Sequence, residues 1–95
     1  MTAPQNALLR AIVRGGTQGV GFRAFVLDRA GRLSLSGYVR NMPDGSSVEV
    51  VAEGPQERLD LLLAALREGP PLSRVERVDT SWGEATGGYR GFDIR

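Results

Sequence analysis

Residues 35–53 decide the fold, and they read LSGYVRNMPDGSSVEVVAE. Residues 35–41 predict a strand in which every second position shares one face: Leu35, Gly37, Val39 and Asn41. Residues 43–47 have the composition of a turn, and residues 48–53 alternate glutamate with valine or alanine. The stretch therefore predicts a β-hairpin of which only one face is buried.

Amphipathic helices flank this hairpin on both sides. Before it, apolar residues recur at helical spacing: Phe22, Val26, Ala30 and Leu33. After it, a helix that opens at Gly54-Pro55 carries the clearest stripe: Leu59, Leu62, Leu63 and Leu66. Further strands are predicted over 8–14, 74–82 and 89–95. In the second of these, the unlike parity of Val75 and Val78 indicates a β-bulge or a late start of the strand.

The order of the elements predicts the architecture. Two helices separated by a hairpin do not economically cover both faces of so small a sheet, and the alternating pattern leaves one face wet. The predicted fold class is α+β, a ferredoxin-like βαββαβ sandwich with two helices packed on one face of a four- to five-stranded antiparallel sheet. Residues 8–95 are predicted to form a single domain, and residues 1–7 a flexible N-terminal tail.

The composition excludes several kinds of chemistry. The 95 residues contain no cysteine and no histidine, and all twelve cations are arginine. The chain therefore offers no thiolate, no imidazole base and no lysine for a Schiff base. A formal charge of +1 gives no electrostatic reason to expect nucleic acid, and no apolar run is long enough to span a membrane. With no signal peptide visible, we expect a cytoplasmic monomer without cofactor or metal.

The segment 15–23 is the first candidate site. It holds four glycines between a predicted strand and a predicted helix, and it ends at Arg23. Backbone amides of such a loop, next to a helix N-terminus, attract anions, and a guanidinium binds phosphate oxygens in a bidentate manner. The alternative is a tight strand-to-helix connection with Arg23 as a solvated cation. The spacing by itself does not decide between these interpretations.

Asn41, at the end of the first hairpin strand, is the second candidate. Its side-chain amide can accept a hydrogen bond from a water and donate one to an anion at the same time. The alternative is that Asn41 starts the turn that follows, the usual role of asparagine before Pro-Asp-Gly. From the local sequence alone, the turn is the better interpretation.

These two segments resemble the signatures of a known family. The run GGTQGVGFR at 15–23 resembles the acylphosphatase pattern G-x-V-Q-G-V-x-F/Y-R. The run GYVRN at 37–41, followed by Asp-Gly and Val-Glu, resembles the second acylphosphatase pattern, G-W/Y-V-x-N with D-G-x-V-E. The resemblance extends over roughly residues 8 to 95. Two departures stand out, Thr17 in place of valine and a hairpin one residue longer at Ser46-Ser47.

The resemblance implies a specific reaction. Acylphosphatases hydrolyse carboxyl-phosphate mixed anhydrides on a ferredoxin-like fold. By similarity, Arg23 would hold the phosphate and Asn41 would orient the attacking water. The phosphate would also bind backbone amides of five loop residues: Gly16, Thr17, Gln18, Gly19 and Val20. The expected partner is thus a small-molecule acyl phosphate, with no nucleic acid, membrane or metal involved.

Two other classes of protein can have the same predicted topology, a binding module and an RNA-binding domain. A binding module would use the glycine loop to sense an anionic metabolite without turnover. An RNA-binding domain is disfavoured, because the strand 48–53 is acidic and lacks aromatic residues on which bases stack. Four other side chains are predicted to have structural rather than functional roles. Phe25 is expected in the core, Trp82 at a strand end, and Arg10 and Arg14 as solvated cations.

Overall fold

Seven elements follow one another in the predicted order, βαββαβ with a short extra strand. The computed structural model describes residues 5–95. The strands are β1 (Asn6–Gly16), β2 (Ser36–Asn41), β3 (Val48–Pro55), β4 (Arg74–Glu84) and β5 (Phe92–Ile94). The helices are α1 (Phe22–Arg32) and α2 (Gln56–Glu68). Within the described residues, no helix is both long and apolar enough to cross a membrane.

The five strands form one mixed sheet in the order β4-β1-β3-β2-β5. The pairs among β1 to β4 are antiparallel, as predicted, whereas β5 lies parallel to β2. The prediction of a wholly antiparallel sheet was therefore wrong for the last strand. The last residues of β4 and the first residues of β2 lie at the same end of the sheet. A connection that crosses the sheet at that end therefore starts β5 in the same direction as β2.

The helices cover one face of the sheet, as the apolar stripes predict. Both stripes are buried against it, through Phe22, Val26 and Ala30 of α1 and Leu59, Leu62 and Leu66 of α2. The strands contribute alternate residues to the same core: Leu9, Ala11, Val13, Val39, Val48, Val50 and Ala52. Phe25 also packs against this core, which confirms its predicted place. Each fully buried leucine contributes about 1.5–3 kcal/mol of hydrophobic stabilisation.

The face of the sheet away from the helices, called the outer face below, is partly buried rather than fully exposed to solvent. Glu49 and Glu53 in β3 are only 3% and 5% exposed, so the prediction that only one face of the hairpin is buried was wrong for this central strand. Glu49 accepts hydrogen bonds from Arg10 at 2.7 Å and Arg40 at 2.6 Å. These bonds come from both neighbouring strands, which is why β3 is enclosed.

Glu53 lies at the other end of the same strand. Its carboxylate accepts hydrogen bonds from the amide and hydroxyl of Thr86 and from the amide of Gly87. Burial by itself raises the pKa of Glu53, but these three bonds outweigh it and leave that pKa below its usual value. The connection between β4 and β5 is thereby fastened across the sheet.

Arg10 and Arg14 are ion-paired, contrary to the prediction of solvated cations. Arg10 binds Glu49, and the Arg14 Nε lies 2.6 Å from the Asp79 carboxylate in β4. Each pair joins neighbouring strands diagonally, because both Glu49 and Asp79 lie opposite Ile12, two positions from the arginine. Sequence alternation placed these arginines on the outer face, but only strand order supplies their partners.

The strand β1 is longer at both ends than predicted. It takes in Asn6 and Ala7, which were assigned to the tail, and Gly15 and Gly16, which were assigned to the loop. Residues 1–4 of the predicted tail lie outside the described residues. Gly15 remains in the strand at φ +126°, where a Cβ would lie 2.1 Å from a backbone oxygen. Glycine is required at position 15 because the backbone of β4 lies too close for any side chain.

The bulge predicted in the fourth strand is confirmed. Pairing of β1 with β4 shifts register between Arg14 and Gly15, so that Arg77 and Val75 are consecutive partners on the other strand. Trp82 lies opposite Leu9, two residues before the end of β4, and is 44% exposed. It takes no part in the cavity described next.

Candidate active site

Three chain segments meet at one end of the sheet. The strands β1 and β2 both end there, and the loop after β1 leads directly into α1. A cavity of about 250 Å³ lies between them, lined by Thr17, Gly19, Gly21, Phe22, Arg23, Ala24, Asn41 and Ile94. Arg23 and Asn41, eighteen positions apart in the sequence, are thus brought to one cavity.

The glycine loop and the N-terminus of α1 together have the features of an anion-binding site. Gly19 and Gly21 have φ values of +75° and +78°, a left-handed conformation that glycine adopts without strain. Gly21 is the N-cap of α1; no side chain caps the helix, and its first turn has no acidic residue. The amide groups at this end of the helix therefore keep their partial positive charge for a ligand.

Arg23 lies in the first turn of α1 and is exposed. Within residues 5–95, its guanidinium makes no ion pair and donates no hydrogen bond to a side chain or carbonyl. By contrast, the arginines of β1 and β2 are engaged with Glu49 and Asp79. The cation beside the glycine loop is thus available to an incoming anion, which favours the first of the two interpretations of this loop.

Asn41 ends β2, where it pairs with Val48, and its side chain does not start the turn. Asp44 does so instead, accepting hydrogen bonds from the amides of Ser46 at 2.9 Å and Ser47 at 2.8 Å. Bonds from Ser47, and then from Ser46, lower the pKa of Asp44 to about 2. The turn interpretation of Asn41 was therefore wrong, because the aspartate three residues later fills that role.

The predicted loop residues are not equivalent. Thr17 and Gly19 line the cavity, whereas Gly16, Gln18 and Val20 are not part of its lining. Gly16 belongs to β1 and pairs with Arg74. Sequence reasoning missed Ile94, the last residue of β5, as a cavity residue.

Two loop side chains tie the glycine loop to the β2–β3 hairpin. The Gln18 amide nitrogen donates to the carbonyl oxygens of Met42 and Ser47, each at 2.9 Å. The Thr17 hydroxyl, which is fully buried, donates to the Ser46 carbonyl at 2.5 Å. No local signal in the sequence predicts these contacts, because donor and acceptor are 24 to 29 positions apart.

A larger groove, of about 620 Å³, lies at the other end of α1. Its lining consists of Arg32, Leu33, Ser34, Glu57, Arg58 and Leu61. Ser34 has a φ of +53° there, at the position after the helix where glycine would be comfortable. The groove contains neither a predicted site residue nor a glycine loop, so the smaller cavity is the candidate active site.

The family was then established by comparison. A model of the acylphosphatase family matches residues 9–94, nearly the whole chain. The chain belongs to the acylphosphatase family. This acylphosphatase is 55% identical over 86 residues to the acylphosphatase of Thermus thermophilus, an alignment that covers 90% of this chain and 96% of that protein.

Solved structures agree with the same assignment. The acylphosphatase of Bacillus subtilis superposes with a TM-score of 0.89 at 38% identity, covering 94% of this chain and 98% of the other. An acylphosphatase from Coxiella burnetii superposes with a TM-score of 0.89 at 33% identity over the full length of both chains. The ferredoxin-like α+β fold is confirmed, and the chain is a hydrolase rather than a module that only senses anions.

Proposed function

We propose that this acylphosphatase acts on small acyl phosphates without a metal ion, with Arg23 and Asn41 as its catalytic residues. Water attacks the phosphorus, the bond from phosphorus to the acyl oxygen breaks, and carboxylate and inorganic phosphate leave. The observation that carries the proposal is the convergence of Arg23, Asn41 and the glycine loop on one cavity at the start of α1.

Phosphate binding falls to Arg23 and the loop. The guanidinium supplies a planar pair of donors that matches two phosphoryl oxygens, and the backbone amides from Gly16 to Val20 supply the remaining donors. Thr17 and Gly19 support this assignment most directly, since both line the cavity and Gly19 has the left-handed φ of +75°. These donors stabilise the charge that spreads over the phosphoryl oxygens in the transition state.

Asn41 orients the water. Its carbonyl oxygen accepts a hydrogen bond from the water, and its NH₂ group donates to a phosphoryl oxygen. Within the described residues this side chain has no other hydrogen-bond partner. An amide is too weak a base to remove a proton, so its contribution is the geometry of attack.

The leaving group explains how so few functional groups suffice. A carboxylate leaves without protonation, because its conjugate acid is already strong, so no general acid is required. The metal-free mechanism rests on this leaving group: the positive charge of Arg23 and the loop amides takes the part that a metal ion would otherwise have. Phosphate monoesters have a far poorer leaving group and are not expected as substrates.

The proposal extends to the state of the protein in the cell. We infer a cytoplasmic monomer that does not bind nucleic acid. The near-neutral charge of +1 supports the absence of nucleic-acid binding, because such binding relies on a basic surface. Sedimentation equilibrium would test the monomer, which a dimer would contradict, and a salt-dependent RNA gel shift would test the absence of RNA binding, which a shifted band would contradict.

The test is hydrolysis of benzoyl phosphate in excess EDTA by the wild type, Arg23→Ala and Asn41→Ala. Turnover should survive EDTA and fall by about 10²–10³-fold in each variant, the usual effect of removing one transition-state donor. Arg67→Ala is the matched control, because this arginine is exposed on α2, away from the cavity. Full turnover in Asn41→Ala would refute the role of that residue, and loss of turnover with EDTA would refute the metal-free mechanism.

A further inference from the structure

The Thr17 side chain connects the two halves of the active site. Its hydroxyl is fully buried, lines the cavity and lies 2.5 Å from the Ser46 carbonyl oxygen. A second acceptor, the Val13 carbonyl, is 3.4 Å away. A hydroxyl has one proton to donate, so the shorter contact receives it. The loop that carries the phosphate donors is thereby held to the hairpin that follows Asn41.

This contact joins the two positions where the chain departs from the family signature. Thr17 stands where a valine is usual, and Ser46 belongs to the hairpin that is one residue longer. In this structure the Thr17 hydroxyl donates its hydrogen bond to the carbonyl of Ser46, which belongs to that longer hairpin. The two departures are therefore complementary in this structure.

The size of the effect follows from the distance. A valine methyl in place of the hydroxyl needs about 3.5 Å to a neighbouring heavy atom. The present 2.5 Å would have to open by about 1 Å. The glycine loop is held at both ends by β1 and α1, whereas Ser46 is exposed at the hairpin tip. The hairpin therefore gives way first at Ser46, and the part of that displacement which the Gln18 bonds to Met42 and Ser47 do not absorb shifts Asn41 relative to the loop.

We propose that Thr17 is a positioning residue, whose hydroxyl sets the distance between the phosphate loop and Asn41. The inference rests on the proposed roles of Arg23 and Asn41. Gln18 holds the base of the same hairpin through Met42 and Ser47, so loss of the Thr17 hydroxyl alone leaves the hairpin attached. The protein stays folded while the geometry of water attack deteriorates.

The first experiment compares Thr17→Val with Thr17→Ser in benzoyl phosphate hydrolysis. In Thr17→Val, kcat should fall about tenfold, since a misplacement near 1 Å can cost up to about 10²-fold. The KM and the inhibition constant of inorganic phosphate should stay within about twofold, because Arg23 and the amides are unmoved. Thr17→Ser retains the hydroxyl and should restore most of the rate. A Thr17→Val enzyme with full kcat, or a Thr17→Ser enzyme as slow as it, would overturn the proposal.

The second experiment restores the shorter hairpin. Deletion of Ser46 in the Thr17→Val background removes the carbonyl that a methyl would crowd, so this double variant should regain kcat over Thr17→Val. A double variant no faster than Thr17→Val would overturn the pairing. Thermal unfolding of every variant shows whether it is folded.

Parallel assays of Arg23→Ala and Asn41→Ala separate the two levels of inference. If both lose activity while Thr17→Val keeps its full kcat, only the positioning role is refuted. If either of them keeps full activity, the proposed catalytic assignment itself has failed.

Discussion

The Glu49 carboxylate joins three strands on the outer face, so we expect Glu49→Gln to destabilise the fold. Its side chain is 4% exposed and accepts from Arg10 on one oxygen and from Arg40 on the other. The Tyr38 hydroxyl donates to it as well, at 3.2 Å. Glutamine keeps the shape of the side chain, but it turns an NH₂ group toward donors and removes the charge.

The magnitude can be worked from the exposures. Removing one partner of a fully buried ion pair costs about 3–5 kcal/mol, because the other charge stays buried. Here the Arg10 and Arg40 side chains are 49% and 38% exposed, so water takes over part of their solvation. We therefore expect a loss of about 2 kcal/mol in the free energy of unfolding, roughly half of the buried value. In a domain of this size that corresponds to a Tm lower by about 10 °C.

The assay is urea and thermal denaturation followed by circular dichroism at several pH values. Burial raises the pKa of Glu49, but hydrogen bonds from Arg40 and Arg10 outweigh it, and the net pKa is lowered. A lowered pKa means that the stabilisation is complete above the ordinary value near 4.5 and is lost as the pH falls through the folded-state value. The difference between wild type and Glu49→Gln should thus be constant from pH 5 to 8 and shrink below about pH 4.5.

Glu84→Gln is the matched control for this experiment. Glu84 is an exposed glutamate at the end of β4 and makes no ion pair within residues 5–95. If Glu49→Gln is no less stable than Glu84→Gln at pH 7, the argument that the buried carboxylate stabilises the outer face is refuted.

Four further substitutions test backbone conformation and the turn. Gly37→Ala should lower the free energy of unfolding by about 3 kcal/mol, because φ is +142° and a Cβ would lie 1.9 Å from a backbone oxygen. Gly31→Ala is the control: a Cβ there meets open space on α1, so this variant should raise the free energy of unfolding by about 0.5–1 kcal/mol. Equal urea midpoints for these two variants would contradict the steric argument. Ser34→Gly should stabilise by about 0.5–1 kcal/mol, since Ser34 has a left-handed φ of +53°; a lower Tm would refute this. Asp44→Ala should lower the Tm at pH 7, and the difference should shrink as the pH falls below 3.8 and be mostly lost at pH 2, the lowered pKa of Asp44; a difference undiminished at pH 2 would show another cause.

The parts of the fold that local pattern could predict are those with a strong periodic signal. The leucine stripe of α2 and the alternation of the hairpin strands each specify which side chains face the core, whatever their partners are. The bulge in β4 was also predictable, because the parity of Val75 and Val78 does not fit a regular strand. Strand ends were less predictable: β1 runs on through Gly15, since pairing with β4 compensates for the poor strand propensity of glycine.

In the site, the sequence predicted candidate residues but not their arrangement. The glycine run and Arg23 predict an anion site by their chemistry, and the family resemblance added Asn41 against the local preference for a turn. The turn was in fact started by Asp44, a competitor that lies in the same stretch and accepts from Ser46 and Ser47. A short segment offers several side chains for one backbone role, and the pattern alone does not select among them.

The sequence by itself determined the order of elements, the core-facing side chains and the candidate loop, because these depend on spacing along the chain. Tertiary structure decided what depends on the order of strands. It placed β5 parallel to β2, enclosed Glu49 between Arg10 and Arg40, and brought the Thr17 hydroxyl to the Ser46 carbonyl. These partners lie 9 to 39 positions apart, and several arginines or carbonyls are equally eligible on chemical grounds. Only the register of the folded sheet selects which of them meet.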